Sequence, residues 1–118
     1  MANVLFIFNE PPYGSEGMWN GLRLALTLAR KEESANIRVF LVGDSAVGAR
    51  KGQKVPQGYY NLESIFKGLV SKEISISTCG TCMDARDIQD GDLIEGIKRG
   101  SMDELSDWVI WAGKVLTF

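Results

Sequence analysis

The chain opens with the apolar run Val4-Leu5-Phe6-Ile7-Phe8, which is rich in residues that favour β-strands. Because the run is continuously apolar and does not alternate, it predicts a strand buried on both faces, as at the centre of a parallel sheet. Two prolines and a glycine in residues 9–14 end the strand. Ser15 is then expected to cap a helix that has Glu16 in its first turn and an apolar stripe beginning at Met18.

The same alternation of strand and helix continues to the end of the chain. The residue patterns predict strands at 37–42, 74–77 and 114–118, and helices that begin at Asn61, at Ile88 and at Ser101 or Asp103. This order predicts one three-layer α/β/α domain over residues 1–118, with a mostly parallel sheet of about five strands.

Two segments follow the pattern less closely. Residues 46–60 contain three glycines and Pro56, so a long mobile loop with a helical turn at its start is expected there. Residues 88–97 are interpreted as a short helix that turns Leu93, Ile94 and Ile97 inward, since these apolar residues recur at roughly helical spacing.

The composition narrows the classes of function. A chain of 118 residues that is 45% hydrophobic can fill one core without a disulfide or a metal. The 13 basic and 15 acidic residues give a net charge of −2, which indicates neither nucleic acid nor an anionic membrane as a partner. The N-terminus lacks the pattern of a secretory signal, and no segment has the ~20 apolar residues of a membrane span. A cytoplasmic protein is therefore expected.

The chain contains no histidine, which excludes Ser-His-Asp triads, Cys-His dyads and histidine zinc sites. The strongest candidate for chemistry is the motif Cys79-Gly80-Thr81-Cys82, which directly follows the third predicted strand. Ligands of parallel α/β sheets bind at this end of the strands. Cys79 is expected to be the reactive thiolate, stabilised by backbone N–H groups near Gly80 and Thr81 and by Arg86. The competing interpretation is a small buried apolar residue.

Cys82 has three interpretations from its position alone. The first is a resolving thiol that forms a disulfide with Cys79, the second is half of a zinc site, and the third is an auxiliary structural thiol. The zinc site is all but excluded, because the chain offers no other cysteine and no histidine. No metal or organic cofactor is required by any of the motifs.

Other polar residues are weaker candidates. Glu10 and Asp44 stand where strands are expected to end, where they either orient the site or, more simply, serve as turn residues. The basic cluster of Arg50, Lys51 and Lys54 could guide an anionic partner, but ordinary surface charge is the simpler interpretation.

Four stretches together resemble the DsrE/DsrF/DsrH-like family, and in particular its YchN-like branch. They are Pro12-Tyr13-Gly14-Ser15-Glu16, the loop Arg50-Lys51-Gly52-Gln53-Lys54, the motif Cys79-x-x-Cys82 with Asp84-x-Arg86, and the ending Ala112-x-Lys114-Val115-Leu116-Thr117-Phe118. The resemblance runs over essentially the whole chain.

The resemblance implies parallel α/β domains that assemble into homo-oligomers, as trimers or hexamers. Its sulfur-relay members bind persulfide sulfur on a cysteine after the third strand, a position that Cys79 matches. Cys82 matches only the branch with the paired form.

The leading hypothesis is a sulfur carrier or sulfurtransferase subunit with donor and acceptor partner proteins. A non-catalytic oligomeric protein that binds a small anion or a partner protein is the alternative, and a dithiol redox protein is the third. The sequence leaves open whether the protein is an enzyme.

Overall fold

The computed structural model describes residues 2–31, 35–55 and 61–118. Within these ranges the chain forms five strands and four α-helices, and the predicted α/β class is confirmed. In chain order the elements are β1 (Ala2–Phe8), α1 (Gly17–Arg30), β2 (Ala35–Leu41), α2 (Leu62–Ser71), β3 (Ser75–Cys79), α3 (Gly80–Asp84), β4 (Ile97–Gly100), α4 (Met102–Trp111) and β5 (Lys114–Thr117).

The strands form one sheet in the order β4-β3-β2-β1-β5, and every neighbouring pair is parallel. From β1 to β4 the chain steps in one direction across the sheet, and it then returns past β1 to place β5 at the other edge. Because crossovers between parallel strands are right-handed, α1, α2 and α3 cover one face and α4 covers the other. The first apolar run is therefore central, as its sequence predicts.

The two faces carry cores of different size. Beneath α1, α2 and α3 lies the larger core, which includes Phe6 and Phe8 of β1, Leu22 of α1 and Phe66 of α2. The second core, on the α4 side, is a small cluster whose buried members are Leu5, Phe40, Cys79 and Trp108.

Several predicted boundaries shift by a few residues. The first helix begins at Gly17, so Glu16 is its N-cap residue and does not lie in the first turn. Ser15 makes only a long contact there, with its Oγ accepting from Gly17 N at 3.4 Å. The third strand extends to Cys79, which is the last residue of β3 and does not follow the strand.

The helix predicted over residues 88–97 is wrong. The segment contains a short 3₁₀ turn at Asp90–Asp92 and then enters strand β4 at Ile97. Its three apolar residues do point inward, and all three are buried. Inward apolar side chains at uneven spacing fit this winding path as well as a helix, and β4 forms because the edge of β3 offers a partner for its backbone groups.

The helical turn predicted at the start of residues 46–60 is confirmed, but this part of the segment is packed into the core and is not a mobile loop. A 3₁₀ helix spans Gly43–Ala49, and Ala46 and Ala49 are fully buried in the larger core. Residues 56–60 lie outside the described part of the chain. Among the described helices, none is long and apolar enough to cross a membrane.

Candidate functional site

The carboxyl ends of all five parallel strands lie at one edge of the sheet, and Cys79 ends the strand β3. Side chains alternate along a strand, so Ile76 points into the larger core and Cys79 points to the α4 face. The Cys79 side chain contacts the cluster that contains Leu5, Phe40 and Trp108, and the residue is only 4% exposed. Both cysteines are free thiols.

The Cys79 sulfur also caps the helix α3. It accepts a hydrogen bond from Cys82 N at 3.4 Å, across the first turn. The amide donors expected from the sequence were those of Gly80 and Thr81. Within the described residues, the amide that donates to this sulfur is the one of Cys82. The motif thus supplies an N–H group to Cys79, but from a different residue.

Cys82 is held by a residue from another strand end. Its sulfur accepts a hydrogen bond at 3.1 Å from the N–H of Gly43, which lies two residues after the end of β2. Burial is the main reason that the pKa of the Cys82 thiol is raised, and its hydrogen bond to Cys79 and the charge of Cys79 act in the same direction. The Gly43 amide and the Arg86 charge act in the opposite direction.

Arg86 contacts the Cys-x-x-Cys motif at Cys82. Its Nη1 donates to the Cys82 carbonyl oxygen at 3.0 Å, and its Nη2 and Nε donate to Asp44 Oδ1 at 2.7 and 3.2 Å. Asp44 is therefore more than a turn residue, because its ion pair with Arg86 joins the end of β2 to the end of α3. Arg86 was predicted to stabilise Cys79, but the hydrogen bond that it makes to the motif goes to the Cys82 carbonyl.

An open cleft of about 520 Å³ lies beside the two cysteines. It is lined by the Cys-x-x-Cys motif and α3, and by the end of β4 and the start of α4. The lining residues are Cys79, Gly80, Thr81, Cys82, Asp84, Arg99, Gly100, Ser101 and Met102. Cys79 is thus nearly buried and still borders a space that a reactant can enter.

Arg99 is the charged residue that crosses this cleft. Its Nη1 donates to the Gly80 carbonyl oxygen at 3.2 Å and lies 3.1 Å from Asp84 Oδ1, and its Nε donates to Asp90 Oδ1 at 2.6 Å. These two carboxylates raise the pKa of the Arg99 guanidinium further. The cation is therefore already neutralised locally and fixes the motif to β4.

The weaker candidates lie elsewhere. Glu10 Oε2 accepts from Ser15 Oγ at 2.6 Å, within its own turn. Arg50 pairs with Leu93 in an isolated bridge, and Lys54 borders a separate depression beside α2. The basic cluster does not line the cysteine cleft. In the described part of the chain, no group of three or more potential ligands is placed to hold a metal ion.

Sequence reasoning missed Gly43 and Arg99. Gly43 has a φ of +59°, a left-handed conformation that favours glycine, and a Cβ there would lie 2.7 Å from Asn9 Oδ1, so the Asn9 side chain would have to move. The signal available in the sequence is the Gly43-Asp44 pair at a strand end, where Asp44 is a candidate for orienting the site and Gly43 counts only as part of the turn. Arg99 gave no signal, because it lies between the helix predicted over residues 88–97 and the one predicted from Ser101 or Asp103, where no chemistry is expected.

Comparison with known proteins decides the family. The model of the DsrE/DsrF-like family matches residues 2–118. The chain belongs to this family. Protein YchN of Escherichia coli is 37% identical over 118 residues and is covered completely, as is this chain. An uncharacterised protein of Methanopyrus kandleri is 30% identical over 115 residues, which are 98% of this chain and 93% of that protein. The predicted resemblance is confirmed.

Solved structures agree with this assignment. The crystal structure of YchN from E. coli superposes with a TM-score of 0.93 at 36% identity, over all of both chains. A protein of unknown function from Methanobacterium thermoautotrophicum superposes with a TM-score of 0.79 at 13% identity, again over all of both chains. The second similarity supports the fold alone.

Proposed function

We propose that this DsrE/DsrF-like protein is a sulfur carrier or sulfurtransferase subunit that holds a persulfide on Cys79. The observation that carries the proposal is the placement of the Cys79 sulfur, which ends β3, accepts the Cys82 amide and borders an open cleft. The family resemblance supports it, because the sulfur-relay members bind persulfide sulfur at the matching cysteine.

The reaction needs only thiol chemistry. The Cys79 thiolate attacks the outer sulfur of a donor persulfide, and the donor cysteine leaves as a thiolate. The sulfur is passed on when an acceptor thiolate attacks the outer sulfur of the Cys79 persulfide and Cys79 leaves as a thiolate. No oxidant, metal or organic cofactor enters either step. A reducing cytoplasm, which we propose as the compartment, keeps both thiols free.

Arg86 is proposed to act as a positioning residue. Its guanidinium binds the Cys82 carbonyl and Asp44, so it fixes the turn of α3 whose amide points at the Cys79 sulfur. Its charge also favours negative charge on Cys82. This role differs from a direct ion pair with Cys79, and it predicts slower loading in Arg86→Ala, with recovery in Arg86→Lys limited by the loss of the forked hydrogen bonds.

The partners are proposed to be copies of this chain and the proteins that donate and accept sulfur. Large apolar side chains are exposed on α4 and β5, namely those of Met102, Val109, Ile110 and Val115. Such exposed apolar surface favours association, and a trimer or hexamer would cover it. Size-exclusion chromatography with light scattering tests this, and a strictly monomeric protein at micromolar concentration contradicts it.

The sulfur-carrier proposal is tested by intact mass after exposure to a sulfane-sulfur donor. The wild type and Cys82→Ser are expected to gain one sulfur on Cys79, and Cys79→Ser is expected to gain none. A Cys79→Ser variant that gains one sulfur atom, mapped by peptide mass to another residue, refutes the assignment. Circular dichroism spectra of the three proteins serve as the control for folding.

The burial of Cys79 favours one alternative, a non-catalytic oligomeric protein that binds a small anion or a partner protein. A thiol that is 4% exposed in an apolar cluster also fits a purely structural role. That alternative predicts slow alkylation of Cys79 at neutral pH, at a rate no faster than that of global unfolding. Fast alkylation of the folded protein counts against it.

A further inference from the structure

Cys82 makes hydrogen bonds, through its amide and through its sulfur, that a purely structural thiol does not need. Its amide donates to the Cys79 sulfur at 3.4 Å, and its own sulfur accepts from Gly43 N at 3.1 Å. It contacts both the larger core and the small cluster of Cys79, and it borders the same cleft. A second thiol is therefore fixed one helical turn from the first, with an N–H donor directed at its sulfur.

The charges around this pair change when Cys79 is loaded. In the unloaded site, burial is the main reason that the pKa of Cys82 is raised, and the hydrogen bond to Cys79 and the charge of Cys79 raise it further. Once Cys79 carries an extra sulfur, the negative charge lies on that outer sulfur and the Cys79 sulfur becomes half of a neutral S–S bond. The Gly43 amide and the Arg86 guanidinium remain, and both favour the Cys82 thiolate. Loading thus turns the Cys79 sulfur into an electrophile beside a thiol that accepts the Gly43 amide.

We propose that Cys82 discharges the Cys79 persulfide as sulfide, which gives the protein an activity besides transfer to an external acceptor. The inference rests on the proposed function, since it needs a loaded Cys79. It assigns Cys82 the role of an internal resolving nucleophile, and it distinguishes a protein that only carries sulfur from one that also reduces it.

The step balances without a further reagent. The Cys82 thiolate attacks the Cys79 sulfur, and a Cys79–Cys82 bond forms as the persulfide S–S bond breaks. The electron pair leaves with the outer sulfur as hydrosulfide, which takes up the proton that Cys82 released. The sulfane sulfur is reduced by two electrons and the two cysteines are oxidised to a disulfide. A dithiol reductant then restores both thiols for another cycle.

The test loads the wild type and Cys82→Ser with inorganic polysulfide, removes the excess by desalting, and adds no thiol. The wild type is expected to release one equivalent of sulfide, and its mass is expected to fall to that of the Cys79–Cys82 disulfide. In Cys82→Ser the persulfide is expected to persist at least about tenfold longer, since the neighbouring thiol acts at the high effective concentration of an intramolecular group. The wild-type rate is expected not to change on dilution of the protein.

The possible outcomes separate the two proposals. If both proteins load and keep their persulfide equally long, the discharge step is overturned and the sulfur-carrier proposal stands. If neither protein gains sulfur, releases sulfide or forms the disulfide, both proposals are overturned. A rate that rises in proportion to protein concentration also overturns the internal step, because it shows attack by a second molecule. Circular dichroism of Cys82→Ser, and its loading on Cys79, establish that this variant is folded.

Discussion

The face of the sheet beneath α1, α2 and α3 holds most of the buried apolar side chains, whereas the opposite face is covered by α4 and by no other described helix. The first face has the burial expected of a core that holds a domain together. The second has a small cluster and leaves apolar side chains of α4 in contact with solvent. The contrast indicates that folding stability comes chiefly from one face, and the other is the face that we propose contacts other copies of the chain.

The cysteines lie where the two faces meet. Cys79 belongs to the small cluster, and Cys82 contacts both cores. The thinner cover on the α4 side leaves the cleft open beside Cys79, while the packed 3₁₀ helix on the other side presents the Gly43 amide to Cys82. The end of the sheet that carries the two cysteines therefore combines an open cleft on one face with a packed core on the other.

The largest expected effect contrasts two isoleucines on helices of opposite faces. Ile65 of α2 is 8% exposed and Ile110 of α4 is 81% exposed. Ile65→Ala is expected to lower the free energy of unfolding by about 2–5 kcal/mol, because it removes buried atoms and leaves a cavity. Ile110→Ala is expected to change it by less than about 0.5 kcal/mol.

Chemical denaturation of both variants at several protein concentrations measures this contrast. Equal losses in the two variants at a concentration where the protein is monomeric would show that the α4 face stabilises the fold as much as the other. A loss in Ile110→Ala that grows with protein concentration would instead report association through α4.

The second effect concerns Gly43, whose N–H donates to the Cys82 sulfur. Gly43 and Gly52 both have positive φ, +59° and +79°, but a Cβ meets Asn9 Oδ1 at Gly43 and nothing within 4 Å at Gly52. Either change to alanine is expected to cost about 1–2 kcal/mol for the left-handed backbone. Gly43→Ala is expected to cost about 0.5 kcal/mol more than Gly52→Ala, because the exposed Asn9 side chain has to turn away from the new Cβ. Thermal unfolding of the two variants decides this, and equal melting temperatures would contradict it.

A smaller effect is expected for the ion pair between Arg86 and Asp44, which joins the end of α3 to the end of β2. The side chains of Arg86 and Asp44 are 29% and 62% exposed, so the pair is largely screened by water. Asp44→Asn is expected to cost no more than about 1 kcal/mol, and less at high salt. Asp107→Asn is the matched control, because Asp107 is exposed on α4 and no ion pair of it is seen among the described residues. A cost above about 2 kcal/mol for Asp44→Asn would indicate a buried network.

The smallest effect is the pH dependence that Cys82 adds to stability. Because burial and Cys79 raise the pKa of Cys82 in the folded protein, the protonated thiol is favoured on folding. This contribution is complete below the ordinary thiol pKa of about 8.5 and is lost as pH rises through the higher folded value. The stability of the wild type is therefore expected to fall more steeply in alkali than that of Cys82→Ser. Parallel curves from denaturant titrations between pH 7 and about pH 10 would contradict it.

Much of the fold was determined locally by the sequence. The apolar run at residues 4–8 gave a central strand because side chains buried on both faces must all be apolar. Asn61 and Ser101 were predictable as helix caps, and their side chains accept from Ser64 N and Glu104 N. The alternation of strand and helix sufficed to predict the parallel sheet, since parallel neighbours need crossovers.

The position of Cys79 was also readable from the sequence, because a cysteine at the end of an apolar strand lies at the carboxyl edge of the sheet. Which residues surround it in space could not be predicted from the sequence. The contact from Gly43 to Cys82 joins residues 39 apart, and the one from Arg86 to Asp44 joins residues 42 apart. These pairs meet because β2 and β3 are adjacent, which follows from the strand order.

Strand β4 and its Arg99 likewise depended on the tertiary structure. Residues 88–97 contain apolar side chains whose spacing does not distinguish a helix from a winding segment, so local preference could not decide between them. Pairing with β3 decided the conformation, and it placed Arg99 across the cleft. Sequence alone set which residues are buried and where strands end, because these follow from solvation and local sterics. The tertiary structure decided which strand ends lie side by side, because that depends on contacts between distant segments.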